Sequence, residues 1–254
     1  MLKDKIKSII GLSLSLAKAN FKLRNEGSYL WIFWYLLEPL SFFIILLFLG
    51  GALSQNSIQN YAIYLFLGLT TLNFFMRVTT FSTNVIRSNS NFLKSMKVPQ
   101  ESFVVSGLLQ YIFSHIFEVA LLILFMIFFK APLAGLIFYP IIFGFFCLFT
   151  LGLSFILATM GVYINDLNQV WSIIVRLIWF ATPVFYAVKK DNLIHILNLY
   201  NQLSYFLSAI RDIVAYQRIP PAYILVITLA ISLAFFFIGI FVFVKNKRRF
   251  AESL

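Results

Sequence analysis

The 254-residue chain contains little charge: 11% of its residues are Asp, Glu, Lys or Arg, and only nine of them are acidic. Soluble domains carry roughly 25% charged and about 45–50% apolar residues, whereas 61% of this chain is hydrophobic. A soluble fold of this length could not bury so much apolar surface. The composition therefore excludes a cytosolic enzyme, a disulfide-stabilised secreted domain and a disordered protein, and it predicts an integral membrane protein.

Residues that bind metals, nucleotides or disulfide partners are equally scarce. Cys147 is the one cysteine, and His115 and His195 lie far apart in the sequence, so we expect no disulfide and no metal site. The glycine-rich sequences that bind nucleotide phosphates are absent. No combination of Ser, His and Asp indicates a nucleophilic enzyme. We expect a chain without catalytic residues and without a cofactor of its own.

Apolar residues are concentrated in six long stretches, each near or above the length of about 20 residues with which a helix crosses a bilayer. The stretches are Leu30–Leu53, Tyr61–Ile86, Phe103–Phe129, Ile137–Ile164, Val170–Val188 and Ala222–Val244. Helices satisfy their backbone hydrogen bonds internally, as a lipid environment requires. We therefore predict an all-α membrane protein in which residues 30–254 form a single domain of six transmembrane helices.

Residues 1–29 have the pattern of an amphipathic helix rather than of a span. Apolar residues fill most of one side of the helix that we predict between Leu2 and Arg24. The polar side comprises Lys7, Ser8, Gly11, Ser15, Lys18 and Lys22. A basic helix of this kind lies in the membrane interface with its lysines toward anionic headgroups. A signal peptide is the alternative, but serines interrupt the apolar run that its core requires.

The net charge of +11 would suggest nucleic acid as a partner in a soluble protein. In a membrane protein the distribution of the charge has to be considered first. With the N-terminus in the cytoplasm, thirteen Lys and Arg residues lie on the cytoplasmic side of the six spans and five on the other side. This bias is typical of the positive-inside rule. It predicts that both termini are cytoplasmic, and it removes the main argument for nucleic acid.

Five ionisable residues fall inside the predicted spans: Glu38, Arg77, His115, Glu118 and Arg176. Such residues are costly in lipid unless they are paired or hydrated, which makes them candidates for function. His115 and Glu118 share a helix face because they are three positions apart. They are interpreted either as a proton relay or as a structural ion pair facing another group or water.

Aromatic residues make up 19% of the chain. Phenylalanine mostly packs or faces lipid, whereas Tyr and Trp favour the membrane interface, where Trp31, Trp34 and Tyr35 would form a belt. The alternative is that some aromatic rings line a pathway and stack against sugar rings. The candidates for this role are Trp31, Trp34, Tyr61, Tyr64, Phe74, Phe75 and Tyr163.

The loop at about 87–101 combines large apolar residues with basic ones. We expect Phe92, Leu93 and Met96 to be exposed beside Lys94 and Lys97. A solvated cytoplasmic loop is the simplest interpretation. Three large apolar side chains on a water-facing turn nevertheless favour a docking surface for a cytosolic partner.

The segment at about 189–219 is too apolar for a free loop and too often interrupted for a span. Asn201 and Gln202 divide it into two halves. Two short helices that dip into the outer leaflet or cap the outer mouth of the protein account best for this pattern.

In their order along nearly the whole chain, these features resemble the membrane subunit of polysaccharide-exporting ABC transporters, which export O-antigen, teichoic acid or capsule. The similar motifs are Leu30–Trp34 with Glu38–Leu40, Tyr61–Leu69, Asn91–Pro99, Thr182–Tyr186 and Asn201–Arg211. Two positions depart from the family pattern. Gln202 replaces the usual proline, and Asn165 precedes Asp166 where arginine is usual.

The resemblance implies a homodimer bound to two cytosolic ATP-binding subunits, which would hold the ATP and magnesium that this chain has no motif for. The coupling residues to the ATPase would be Asn91, Phe92, Leu93, Lys94, Met96, Lys97 and Pro99. The outer gate would include Tyr200, Asn201, Tyr205 and Arg211. The cargo would be an undecaprenyl-linked polysaccharide of the O-antigen type, used in lipopolysaccharide biosynthesis and exported across the bacterial inner membrane.

Three alternatives remain open. A permease of a small-molecule or drug exporter shares the six-span plan. An integral-membrane enzyme acting on lipid carriers would need a cluster of polar catalytic residues near one membrane face, which the sequence does not indicate. An ungated channel would have no use for a docking loop.

Overall fold

The computed structural model describes residues 2–25, 31–52, 58–96, 98–186 and 193–250. In this part of the chain all regular elements are helices, which confirms the all-α class. The α-helices are α1 (Leu2–Asn25), α2 (Trp31–Ala52), α3 (Tyr61–Ser88), α4 (Ser90–Ser95), α5 (Glu101–Phe128), α6 (Tyr139–Tyr163), α7 (Leu167–Ala181), α8 (Leu193–Tyr200), α9 (Gln202–Val214) and α10 (Ala222–Asn246). Short 3₁₀ turns at Ala134–Ile137 and Lys247–Arg249 precede α6 and follow α10.

Four of the described helices are long and apolar enough to cross a membrane. They are α3, α5, α6 and the continuous segment Ala222–Arg249, which contains α10. Each coincides with one of the predicted stretches. The helix α2 occupies the first predicted stretch. That α2 and α7 also cross the membrane, which would make six spans, stays a prediction.

The helix α7 is shorter than the span predicted at Val170–Val188. It has 15 residues, which gives a length of about 22 Å, less than the roughly 30 Å of a bilayer core. The helix ends at Ala181, and Thr182 is extended, because Pro183 disfavours a helical conformation in the residue before it. The predicted fifth span is therefore a short helix followed by the non-helical segment Thr182–Tyr186.

The centre of the bundle is α6, which packs along α10 on one side and along α3 on the other. Glycines allow both close approaches. A Cβ atom on Gly239 of α10 would collide with the backbone carbonyl of Gly152, and one on Gly161 would collide with the carbonyl of Thr83. Small residues at helix crossings permit this type of backbone contact in membrane bundles.

Gly239→Ala is expected to destabilise the bundle, because the new methyl group forces α10 away from α6. Overpacking of this kind costs about 1–3 kcal/mol of unfolding free energy, measurable as a lower unfolding temperature in detergent. Gly144→Ala is the control, since a Cβ atom there would meet no atom within 4 Å. Equal unfolding temperatures for the two variants would contradict the close helix contact.

The N-terminal helix α1 packs against α5 through one face. Ser13 and Ala17 are buried in this contact, and the Ser102 hydroxyl donates to the carbonyl of Ile9 at 3.3 Å. The predicted polar side is exposed along its whole length. A third face, with Ile6, Ile10 and Leu14, is also exposed. A helix with adjoining basic and apolar exposed faces is typical of the membrane interface.

Candidate functional site

A polar groove opens on the side of the bundle between α3, α5 and α7, with a cavity volume of about 490 Å³. Two arginines, two asparagine amides and several hydroxyls line it, together with the apolar side chains of Met76, Phe81 and Val175. The polar lining residues are Arg77, Thr80, Asn84, Ser88, Tyr111, Asn168, Ser172 and Arg176. We call this cavity the polar groove.

The groove follows from the spacing of polar residues on two neighbouring helices. On α7, Asn168, Ser172 and Arg176 recur every four positions and therefore form one stripe. The polar residues of α3 between Arg77 and Ser88 recur at intervals of three or four. The sequence-based prediction of site residues missed the α7 stripe as a unit, although its four-residue spacing would have revealed it.

Behind the groove lies a buried network that joins three helices. His115 Nδ1 is 2.7 Å from Glu118 Oε2, and His115 Nε2 is 2.6 Å from the Tyr139 hydroxyl. The other carboxylate oxygen of Glu118 is 3.7 Å from Arg77 Nη1. With a neutral imidazole, Nδ1–H donates to the carboxylate and the Tyr139 hydroxyl donates to Nε2. We call these four side chains the buried network.

Of the five ionisable residues predicted inside spans, the structure brings three together, namely Arg77, His115 and Glu118. The ring of Phe143 stacks on His115 with centroids 4.4 Å apart, which shields the network on one side. Each group has a partner, as the interpretation of a structural ion pair requires. Arg176 lines the polar groove outside this network, and the side chain of Glu38 lies outside the described residues.

Glu118→Ala is expected to destabilise the chain strongly, because it leaves Arg77 and His115 without their shared carboxylate. Removing one partner of a buried ion pair costs about 3–5 kcal/mol. Tyr139→Phe removes one hydrogen bond, so its cost is about 1 kcal/mol. Thermal unfolding of the purified variants measures both effects. A Glu118→Ala variant no less stable than Tyr139→Phe would show that the carboxylate does not organise the network.

A second polar cluster lies beside the C-terminus of α7. We call this side of the bundle the α9 end. Arg211 of α9 is 4% exposed. Its guanidinium donates to the backbone carbonyls of Tyr64 at 3.2 Å, Pro183 at 2.7 Å and Val184 at 2.8 Å. It also lies over the Tyr64 ring, 3.3 Å from the centroid. This set of contacts is the Arg211 anchor.

The environment of the anchor explains why an arginine tolerates burial. Burial lowers the pKa of Arg211 from its ordinary 12.5 to about 10, so the side chain stays charged at neutral pH. Gly68 leaves the space for it, because a Cβ atom there would lie 2.6 Å from Arg211 Nη2. Arginine suits this position since its planar fork presents several donors at once.

The non-helical segment Thr182–Tyr186 is therefore held from two sides. From α3, the Tyr61 hydroxyl donates to the carbonyl of Phe185 at 3.1 Å, and the Tyr64 hydroxyl donates to the carbonyl of Tyr186 at 2.9 Å. From the start of α9, the Asn201 amide donates to the Thr182 hydroxyl at 2.8 Å. The two tyrosine contacts satisfy backbone carbonyls that a broken helix leaves unpaired, and the Asn201 contact holds the segment at its other end.

The predicted gate residues separate into two kinds. The side chains of Arg211 and Asn201 make the hydrogen bonds described above, which hold the α9 end together. Tyr200 is 80% exposed, and Tyr205 is half-buried, with its hydroxyl donating to the carbonyl of Leu199 at 2.9 Å. Two short helices, α8 and α9, occupy the predicted interval, and their action as a gate stays a prediction.

The aromatic candidates for a pathway are mostly packing residues of this chain. Phe74, Phe75 and Tyr64 are buried, and their rings contact side chains of the same bundle. Tyr61 is half-buried, and Tyr163 is exposed at the opposite end of the bundle. The side chains of Trp31 and Trp34 lie outside the described residues.

The predicted coupling residues lie on and beside α4, at the opposite end of the bundle from Arg211. Phe92 and Met96 are 52% and 59% exposed, and Asn91 and Lys94 are exposed beside them. The prediction of an exposed Leu93 is wrong. Its side chain is half-buried against the cluster formed by residues such as Val85, Phe155 and Phe243.

The end of the bundle that bears α4 is fixed by contacts between elements distant in sequence. Arg87 Nη2 donates to the carbonyl of Val162 at 3.1 Å, which joins the ends of α3 and α6. Lys247 pairs with Glu101, which joins the end of α10 to the start of α5. Pro99 is half-buried between α4 and α5, and Lys97 lies outside the described residues. These contacts join the helix ends that carry α4.

Among the described residues, no group of three or more His, Cys, Asp or Glu side chains lies close enough together to hold a metal ion.

Comparison with known proteins agrees with this architecture. Three curated proteins, each called "O-antigen export system permease protein RfbA", match over nearly their full length. The protein of Myxococcus xanthus is 25% identical over 251 residues, which cover 96% of this chain and 95% of that protein. Two proteins of Klebsiella pneumoniae are 25% and 24% identical over 255 residues, covering 97% of this chain and 96% of each.

The family model described as "ABC-2 type transporter" matches residues 12–215. That range includes the polar groove, the buried network, the Arg211 anchor and α4. The chain belongs to the ABC-2 type transporter family.

Proposed function

We propose that this chain is the permease subunit of a bacterial ABC exporter for lipid-linked polysaccharide of the O-antigen type. Separate subunits would hydrolyse the ATP, and the cargo would cross the inner membrane. The observation that carries this proposal is the match to O-antigen export permeases over at least 96% of the chain. The membership in the ABC-2 family supports transport driven by a partner ATPase.

The exposed surface of α4 supports a cytosolic partner. Phe92 and Met96 present large apolar side chains next to Lys94 on α4. Apolar side chains exposed together with charge typically mark a protein interface when they lie outside the lipid. Closure of an ATPase dimer against α4 would then be transmitted to α3 and α5, the helices that flank it.

The exposed face of α7 supports a second copy of the chain as the partner within the membrane. Ile173, Leu177 and Phe180 are all exposed on this short helix. A second copy would cover these side chains and place two polar grooves toward one path between the subunits. Hydroxyl and amide groups lining such a path suit a cargo rich in sugar hydroxyls.

The proposal predicts a specific defect in cells that lack the chain. Lipid-linked polysaccharide should accumulate on the cytoplasmic face of the inner membrane, because synthesis continues while export stops. Protection of the glycan from an externally added glycosidase in spheroplasts measures this accumulation. Surface polysaccharide at wild-type amounts in the deletion strain would contradict the proposal, and sensitivity to small amphiphiles instead would indicate a drug exporter.

A further inference from the structure

A groove lined almost entirely by apolar residues lies between α6 and α10, at the N-terminal ends of both helices. The 3₁₀ turn Ala134–Ile137, the end of α9 and the segment that connects α9 with α10 complete its walls. Its volume is about 630 Å³, within the range of about 300–1,000 Å³ that is usual for sites of small ligands. We infer that this apolar groove holds the hydrocarbon chain of a resident phospholipid, one that stays bound to the protein.

The packing of α6 against α10 limits the groove to one leaflet of the bilayer. The Ser232 hydroxyl donates to the carbonyl of Phe145 at 2.7 Å, and further along the same two helices Gly239 lies against the backbone of Gly152. The groove occupies the turns on the N-terminal side of these contacts, as far as Phe138. From Phe138 to Phe145 the chain rises by about 10 Å, whereas one leaflet contributes about 15 Å of hydrocarbon. The groove therefore has the length of part of one lipid chain.

The wall beside the 3₁₀ turn is fixed by contacts within the chain. The Gln217 amide donates to the carbonyls of Pro132 at 2.8 Å and Val214 at 2.9 Å, and its side-chain oxygen accepts from the Gly135 N–H at 3.0 Å. These bonds hold Gln217 at a φ of 52°, which is uncommon for a residue other than glycine. A Cβ atom on Gly135 would collide with the carbonyl of Ile213, so glycine lets the turn pack against α9. The groove is thus formed before a ligand enters it.

The lining favours a flexible hydrocarbon chain as the occupant. Phe138 and Ile141 at the start of α6 and Val226 on α10 are each more than half exposed. An unfilled concave surface loses dispersion contacts on one side, and a thin chain that enters the groove restores them. A partner helix is about 10–12 Å thick and crosses the membrane with about 20 residues, whereas this groove closes after about 10 Å, where α6 meets α10. The dimensions therefore favour a lipid chain over a helix.

The two polar residues of the lining already have partners within the chain. Gln217 makes the three hydrogen bonds given above, and Arg218 Nη2 is 2.6 Å from Asp212 Oδ1. We assign neither of them a contact with the lipid. Recognition then rests on the hydrocarbon chain and not on the headgroup, so any long-chain phospholipid of the surrounding bilayer is a suitable ligand.

The location of the apolar groove separates its ligand from the exported cargo. None of its lining residues belongs to α3, α5 or α7, the helices that form the polar groove. It also lies apart from the face of α7 that the proposed second copy would cover. The lipid is therefore a structural one. It fills the space between the first turns of α6 and α10 and supports the end of α9 that borders this space.

The experiment counts the phospholipids that stay bound to the full-length chain, purified with its ATPase partner in detergent, by native mass spectrometry. Leu229→Trp is the test variant, because Leu229 lines the groove and tryptophan would occupy it. Leu233→Trp is the matched control. Leu233 lies one turn further along α10 and is equally exposed, at 39%, but it does not line the groove. Val226→Trp fills the groove from a second, more exposed position.

Wild type and Leu233→Trp should retain a phospholipid through detergent washing that Leu229→Trp and Val226→Trp lose. We expect the lipid-bound form of the two filled variants to be roughly tenfold less abundant or lower. Equal retention in Leu229→Trp and Leu233→Trp would overturn the inference. Retention of a polyprenyl-linked lipid in place of the phospholipid would overturn the assignment to a resident lipid.

Removal and return of lipid test the role of the hydrocarbon chain. Delipidated wild type should unfold at a temperature lower by roughly 2–4 °C or more. Dioleoylphosphatidylglycerol and dioleoylphosphatidylethanolamine should both restore the unfolding temperature, whereas dihexanoylphosphatidylglycerol, with short chains, should not. Leu229→Trp should respond to none of them, because tryptophan takes the place of the chain. Recovery with the short-chain lipid, or with only one of the two long-chain lipids, would contradict recognition through the chain.

Discussion

Arg211→Ala should abolish export and lower the stability of the complex, because Arg211 joins three parts of the chain. Its guanidinium binds the backbone carbonyls of Tyr64, Pro183 and Val184 at 2.7–3.2 Å. Alanine would leave these buried carbonyls without the charged donor and would open a cavity over the Tyr64 ring. An unsatisfied buried polar group costs about 1–3 kcal/mol, so we expect a loss of roughly 3 kcal/mol or more in unfolding free energy.

The matched control for this variant is Arg218→Ala. Arg218 lies seven residues further along and pairs with Asp212, but its side chain is 65% exposed. Exposed ion pairs contribute about 0–1 kcal/mol, so this variant should keep nearly wild-type stability and export. Comparable losses in the two variants would show that the arginine contacts of the α9 end matter only through net charge.

Gly68→Ala tests the same anchor from the other side. The added Cβ atom would lie 2.6 Å from Arg211 Nη2 and 3.1 Å from the carbonyl oxygen of Val184. The guanidinium must then leave its position, so the variant should share the phenotype of Arg211→Ala although no charge is lost. A stable Gly68→Ala protein with normal export would contradict the tight geometry of the anchor.

The double variant Phe92→Ser/Met96→Ser should fold normally and lose more than tenfold in export. Both side chains are more than half exposed on α4, so their replacement costs little folding energy. At an interface, buried aromatic and large apolar anchors contribute about 2 kcal/mol or more each. Because about 1.4 kcal/mol corresponds to a factor of ten in affinity, the loss of even one anchor should weaken docking more than tenfold. Export and the stimulation of the partner ATPase by this chain are the quantities to measure.

Phe128→Ala is the control for the α4 variant. Phe128 is 78% exposed at the opposite end of α5, so it matches Phe92 in type and exposure but not in location. Its replacement should leave ATPase stimulation unchanged. Leu93→Ala is expected to behave differently from both, with lower thermal stability, because Leu93 packs against the cluster below α4. Normal export by the Phe92→Ser/Met96→Ser variant would show that α4 does not transmit ATPase movement.

Local sequence pattern was sufficient to predict most helices but not their ends near proline. The second stretch was predicted at Tyr61–Ile86 and the helix runs over Tyr61–Ser88, because a long and mostly apolar stretch without proline favours one continuous helix. The fifth stretch has the same composition through Val188. Its helix ends at Ala181 because Pro183 and the Arg211 anchor together favour an extended segment.

In the candidate site, too, some contacts follow from spacing along one helix, and others depend on how the helices pack. The pairing of His115 with Glu118 follows from their spacing of three residues on one helix. The contacts that Tyr139 of α6 and Arg77 of α3 make with this pair depend on how the helices pack, which no local sequence pattern predicts. The burial of Phe74 and Phe75 is another such case, since a phenylalanine in a span can pack against lipid as well as against other helices, and its residue type does not show which it does.

The residue types alone also did not distinguish a gate from an anchor. Arg211 was predicted at the outer gate from its place in a motif, and its contacts with three carbonyls become visible only when α3, α7 and α9 meet. The groove residues Asn168, Ser172 and Arg176 were weak signals individually. Their common spacing, together with a neighbouring helix of similar spacing, is what makes them a site.

The most direct test of the central claim is export by the purified chain together with its ATPase partner in sealed vesicles. Labelled lipid-linked O-antigen is supplied on the ATPase side, and its appearance in the lumen is followed with ATP and with a non-hydrolysable analogue. Glycan is expected in the lumen only with ATP and only when this chain is present. Hydrolysis of ATP without transfer of glycan into the lumen, or transfer of glycan without ATP, would contradict the proposed function.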